Sequence, residues 1–209
     1  MAPFVLSTTC SQSVLTDIRP GAGRRQIGDA WDDYGKDATH VAITWASINA
    51  PLLKSMQPGN KANHPSLFRA TQDLYVSTST AGVMKEGPSG GASIALGLVC
   101  RLLQYPSPGR GHYIGVSAQV DLRGRLLPVG DLDKKAVVAQ KAALRLVVVC
   151  KENFDGLVAE GFTDIPEGEP RDYAMANFRS AETMLDVIGI TLQGGRWLYH
   201  NVCCMHATP

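Results

Sequence analysis

No run of about 18 apolar residues, the length a helix needs to cross a bilayer, occurs in this 209-residue chain; the longest apolar stretch is broken by Arg101. An excess of charge of one sign is also missing. With 20 Lys and Arg against 19 Asp and Glu, the net charge is +1. Neither nucleic acid nor an anionic membrane is therefore expected as the main partner. Cysteine is sparse and irregular: Cys10, Cys100, Cys150, Cys203 and Cys204 are an odd number without metal-ligand spacing. Free thiols in a reducing compartment are expected, which places the protein inside the cell with cytoplasm, mitochondrion or peroxisome left open. The tail sets Cys203 and Cys204 near His200 and His206, but adjacent cysteines make poor joint ligands in one tetrahedral site. Internal repeats and low-complexity segments are absent.

What is present fits one soluble domain with a real core: 44% of residues are hydrophobic and 19% charged. Residues 1–38 show no sustained apolar period and carry "RPGAGRR" and "DDYGKD", which predicts an irregular N-terminal extension. The first 25 residues hold three Arg and one acid, a balance that a transit peptide shares, although no amphipathic face is evident. "HVAITWASI" (40–48) predicts a strand. Pro51, Pro58, Gly59 and Pro65 leave little room for a long helix after it. "DLYVSTST" (73–80) predicts a second strand. Residues 92–104 are apolar nearly all round, as in a helix buried on most sides. "YIGVSAQV" and "RLLPVG" flank Asp121–Gly124 as a hairpin. A helix over 132–143, a covered strand over 144–150 and a last helix capped by Ser180 complete the pattern. In that last helix Ala181, Met184, Leu185, Ile188 and Leu192 share one face. The class is mixed α/β, with the domain at 39–195 and a tail at 196–209.

Two residues stand out chemically. Ser89 lies in "GPSGG", directly before the apolar helix. A serine there is a common N-cap. The same geometry suits a nucleophile, because flanking glycines admit a substrate and the first helical N–H groups point at a developing oxyanion. A serine nucleophile needs a base, and the five histidines form no recognisable arrangement with it. Winding 134–143 as a helix puts Lys135 on the face of Val138, Ala139, Ala142 and Ala143, and Lys134 on the polar side with Lys141. A buried lysine loses its proton more easily, as a general base requires. The alternative is a Lys135 that reaches the surface or pairs with Asp131.

The motifs "GPSGG", "VSAQVDLRGRLLPVGDLDKK" and "VVVCKENFDGL", in that order, resemble the proteolytic domain of Lon proteases over about Asp73 to Leu192. The resemblance implies a fold like ribosomal S5 domain 2. It also implies a serine endopeptidase working through an acyl-enzyme, with Ser89 as nucleophile and Lys135 as base. Ser117 stands where the family has a Thr that orients the lysine, and Glu86 fills the acidic place before the turn. Polypeptide substrates, no cofactor and no metal are implied. The expected partners are further copies of the chain or a separate ATPase-bearing Lon chain.

The departures are specific. Asp131 replaces the second Gly of the family's Gly-Gly, which sets a carboxylate one turn before Lys135. There it either pairs with Lys135, holding its proton, or caps the helix. Tyr75 and Ser77 stand where the family often has two His, and 49–72 is short for the hairpin and helix expected before that strand. The Gly-x-x-x-x-Gly-Lys-Ser/Thr loop of the Lon ATPase does not occur in these 209 residues. Three readings stay open: a stand-alone peptidase, a piece of a longer enzyme, or an inactive relative with an assembly or regulatory role.

Overall fold

The computed structural model describes residues 4–6, 11–28, 31–55, 72–78, 86–102, 114–142, 144, 146–160 and 178–192. Seven strands form the main sheet: β1 (Phe4–Leu6), β2 (Ser11–Pro20), β3 (Arg25–Ile27), β4 (Gln72–Thr78), β5 (Ile114–Ser117), β8 (Leu146–Cys150) and β9 (Phe178–Ala181), in the order β3-β4-β2-β1-β5-β8-β9. A separate hairpin pairs β6 (Gln119–Val120) with β7 (Leu126–Leu127), as expected around Asp121–Gly124. The helices are α1 (Asp33–Ser55), α2 (Gly91–Leu102), α3 (Leu132–Lys141), α4 (Lys151–Ala159) and α5 (Met184–Thr191). The fold is mixed α/β, as the sequence pattern predicts.

The sheet has two characters. Antiparallel pairs β1–β2 and β2–β4 build one half. The parallel series β5–β8–β9, crossed by α3 and α4, builds the other. Parallel strands joined by helices are covered on both faces, which is why β8 reads as the unbroken run "LVVVC". Its side chains divide by alternation. Val148 and Cys150 join the larger core, which holds the buried faces of α1, α2 and α5; Val147 and Val149 join the core under α3 and α4.

Four expectations are corrected. Residues 1–38 are not an irregular lead-in, since 4–6, 11–20 and 25–27 are strands of the sheet. Residues 40–48 are not a strand but the middle of α1. Ala38, Ala42, Ile43, Trp45, Ala46, Ala50 and Leu53 are buried at helical spacing. The strand reading weighed the β-branched and aromatic content of "VAITW" above that period. Pro51 does not stop the helix. It sits on the exposed side, where it forgoes one backbone bond, while Ala50 and Leu53 on either side of it are buried. The helix and strands expected before β4 thus come from residues 11–55. Ser180 lies in β9 and caps nothing. The cap of α5 is Thr183, whose Oγ1 accepts Asp186 N–H while the Asp186 carboxylate accepts Thr183 N–H, a reciprocal box. The tail at 196–209, with His200, Cys203, Cys204 and His206, lies outside the described residues. No helix among the described residues is long and apolar enough to cross a membrane.

Candidate active site

Ser89 occupies a single 3-10 turn, Pro88–Gly90, that runs directly into α2. Local sequence makes the turn. Gly87 has φ 78°, in the left-handed region that glycine enters without steric cost, and Pro88 brings a φ suited to the first helical position. Ser89 is buried to 9% exposure. Its carbonyl accepts the Ala118 N–H at 3.2 Å, and the Ala118 carbonyl accepts the Ala92 N–H at 3.1 Å. Ser93 donates to the Val116 carbonyl at 2.6 Å. The Ser89 turn and the end of β5 are therefore stitched together, with Ser117 beside Ala118.

Ser117 pairs in register with Val149, so its side chain turns to the sheet face that α3 covers. Its Oγ is buried and has no hydrogen-bond partner among the described residues.

On α3 the helix phase is the expected one. Lys135 is buried at 5% exposure, and Lys134 points to solvent. The Lys135 Nζ donates to the Gly130 carbonyl at 2.9 Å. Burial holds its pKa below the ordinary lysine value, and the Asp131 charge opposes this only in part. Neither role foreseen for Asp131 is realised. Its carboxylate accepts a hydrogen bond from Lys134 Nζ at 2.8 Å and takes none from Lys135 or from a helix N–H among the described residues. Its φ is 57°, the left-handed conformation in which a glycine is strain-free. The loop before α3 is held by Asn153, which accepts the Val129 N–H at 2.8 Å and donates to the Val129 carbonyl at 2.9 Å. That clamp fixes the residue next to the carbonyl on which Lys135 rests.

Glu86 is exposed and makes no hydrogen bond or ion pair among the described residues. The carboxylate that does bind the turn belongs to Asp32, which accepts the Gly87 N–H at 3.0 Å. Sequence reading missed Asp32 and Asn153. The spacing Asp32-x-x-Gly35 signals a helix cap, but nothing linear ties it to Gly87. The described thiols offer no competing nucleophile, since burial pushes Cys100 up to about 11 and also raises Cys150. Among the described residues no three His, Cys, Asp or Glu side chains are grouped to hold a metal ion. Tyr75 and Ser77, which replace the expected histidines, line a groove of about 430 Å³ along β3 and β4, and neither Ser89 nor Lys135 lines it.

The fold and the site thus define a mixed α/β domain with a serine-bearing turn before a buried helix and a lysine amine kept from water. The profile of the Lon protease (S16) C-terminal proteolytic domain matches residues 16–193, and the chain belongs to that family. It is similar to Lon protease 2 of Thermus thermophilus, 28% identical over 87% of this chain and 20% of that protein. Lon protease 1 of Bdellovibrio bacteriovorus is 25% identical over 83% of this chain and 19% of its own length. Lon protease 1 of Bacillus subtilis is 27% identical over 74% and 18% respectively. The chain spans about a fifth of the length of these curated relatives.

Proposed function

We propose that this domain is a serine endopeptidase that cleaves peptide bonds through an acyl-enzyme, with Ser89 as nucleophile and Lys135 as general base. One observation carries the reading: Lys135 is buried with a lowered pKa, and the carboxylate that could hold its proton is engaged by Lys134. A structural lysine is normally left charged and paired; a base must be neutral near working pH. Ser89 Oγ attacks the carbonyl carbon while its proton passes to Lys135 Nζ. The oxyanion meets N–H groups at the start of the 3-10 turn, which have no partner within the helix. Lys135 returns the proton to the leaving amine. It next takes a proton from the attacking water and passes it to Ser89 Oγ as the ester C–O bond breaks, which regenerates both side chains. Ser117, whose hydroxyl has no other partner among the described residues, orients Lys135 as the reaction proceeds, and Glu86 has a supporting role at the entrance to the turn. The chemistry uses no cofactor.

Unfolded polypeptide is the proposed substrate, cleaved without nucleotide, because no phosphate loop occurs in these 209 residues. Folded proteins would need a separate ATPase-bearing Lon chain, and assembly with further copies of this chain is part of the proposal. A fluorogenic unfolded peptide tests it. Ser89→Ala and Lys135→Ala should abolish hydrolysis, Lys134→Ala should stay within a few-fold, and ATP should change nothing. Equal rates for Ser89→Ala and the unsubstituted chain would end the reading. A chain inert to peptides and to an acylating serine probe would instead have the assembly or regulatory role of an inactive Lon-like subunit.

A further inference from the structure

We infer that Asp32 is the positioning residue of the nucleophile turn, fixing Gly87, and through it Ser89, to the start of α1. The inference rests on the Ser89 reading above. Asp32 divides its carboxylate between two duties. Oδ1 accepts the Gly35 N–H at 2.7 Å, an ordinary N-cap bond for α1. Oδ2 reaches a residue 55 positions away and accepts the Gly87 N–H at 3.0 Å. Gly87 is the residue at which the turn most needs such a hold. Its φ of 78° and ψ of 169° lie where only glycine is comfortable, and glycine is also the residue with most freedom to leave. The Oδ2 bond removes that freedom two residues before Ser89.

The surroundings of Asp32 keep the carboxylate in place. Trp31 is buried at 3% exposure. A Cβ on Gly35 would meet the Trp31 ring at 2.6 Å and Asp32 Oδ1 at 3.0 Å, so the small residue there makes room for both. The helix that Asp32 caps also packs directly on α2. Thus α1 holds the serine unit at two points, its helix by apolar contact and its entry by a charge-assisted hydrogen bond.

A cap alone and a cap that also positions the turn are separable by side-chain length. Serine at position 32 keeps the N-cap acceptor but is too short to reach Gly87, whereas alanine loses both bonds. Asp32→Ser should therefore keep the melting temperature and lower kcat by about ten- to a hundredfold with KM little changed, the loss expected when a reacting group is misplaced by about 1 Å. Asp32→Ala should show the same fall in kcat together with a lower melting temperature. Hydrogen exchange of the Gly87 amide should quicken in both variants. An active chain whose kcat is unchanged by Asp32→Ser overturns the positioning role while leaving the Ser89 reading intact. A chain whose hydrolysis survives Ser89→Ala, or that has none to lose, overturns the nucleophile reading, and the role of Asp32 falls with it whatever the Gly87 exchange shows.

Discussion

At the scale of single residues, Lys134 and Lys135 differ only in where the helix turns them. Lys135 is buried with a lowered pKa; Lys134 is exposed and its pKa is raised by its hydrogen bond to Asp131. A buried ammonium destabilises the fold, so Lys135→Met should raise stability by about 1 kcal/mol while removing activity. The folded pKa of Lys135 lies below its unfolded value, so the unfolded chain binds the extra proton. The stability of the unsubstituted chain should therefore rise with pH between that lowered value and about 10.4, and the gap to Lys135→Met should close there. Urea unfolding at several pH values checks this; a gap constant with pH would mean that the lysine is not depressed. Asp131→Gly is a milder change. Glycine removes left-handed strain but gives up an exposed ion pair and adds chain entropy, so stability should move by less than about 1 kcal/mol. Removing the Asp131 charge also lowers the Lys135 pKa further, so the rise of activity with pH should shift to lower pH. A shift in the other direction would show that Asp131 acts by some route other than its charge.

At the scale of elements, caps and turns decide how the site is bounded. The Thr183–Asp186 box starts α5, and the same stretch holds the hairpin. The Leu126 N–H donates to the Glu182 carbonyl at 2.8 Å, and the Met184 N–H donates to the Gly124 carbonyl at 2.8 Å. Thr183→Ala should cost about 1 kcal/mol of stability, read as a fall in melting temperature, whereas Ser180→Ala, at a position that caps nothing, should cost less. Equal losses would mean that the box is not what starts the helix. Gly124 itself has φ 81°, and a Cβ there would run into the Trp45 indole nitrogen. The hairpin thus lies against α1, the helix that Asp32 caps.

At the scale of the molecule, one buried acid on β4 ties that strand to the turn between β2 and β3. Asp73, at 2% exposure, accepts N–H bonds from Arg24 at 2.8 Å and Ala22 at 2.9 Å, and pairs with the Arg24 guanidinium at 3.0 Å. The Arg24 backbone bond leads in holding its pKa below the usual carboxylate range, against the opposing effect of burial. The folded pKa lies below the unfolded one. Its stabilisation should therefore be complete above about pH 4 and vanish as pH falls through the lowered value. Asp73→Asn should lower stability at neutral pH and match the unsubstituted chain in strong acid, a convergence that denaturation curves at both pH values would show. A difference that persists in acid would assign the effect to packing.

The sequence by itself determined the serine turn, the apolar α2, the β6–β7 hairpin, the inward phase of Lys135 and the mixed α/β class. These follow from local periodicity and turn chemistry, which act over a few residues. It failed where two local signals competed. In "HVAITWASI" β-branched content outweighed a helical period that only the burial of Ala42, Ile43, Ala46 and Ala50 makes decisive. In the first 27 residues, short strands gain stability from neighbours far along the chain: β2 from β4, and β3 from the same strand. Only the tertiary structure could decide the partners of polar groups. Asp131 engages Lys134 because a left-handed residue and a helix turn bring them together. Asp32 meets Gly87, and Asn153 meets Val129, because α1 and α4 pack beside loops distant in sequence. A hydrogen bond needs atoms within about 3 Å, and no linear pattern encodes a separation that packing alone sets.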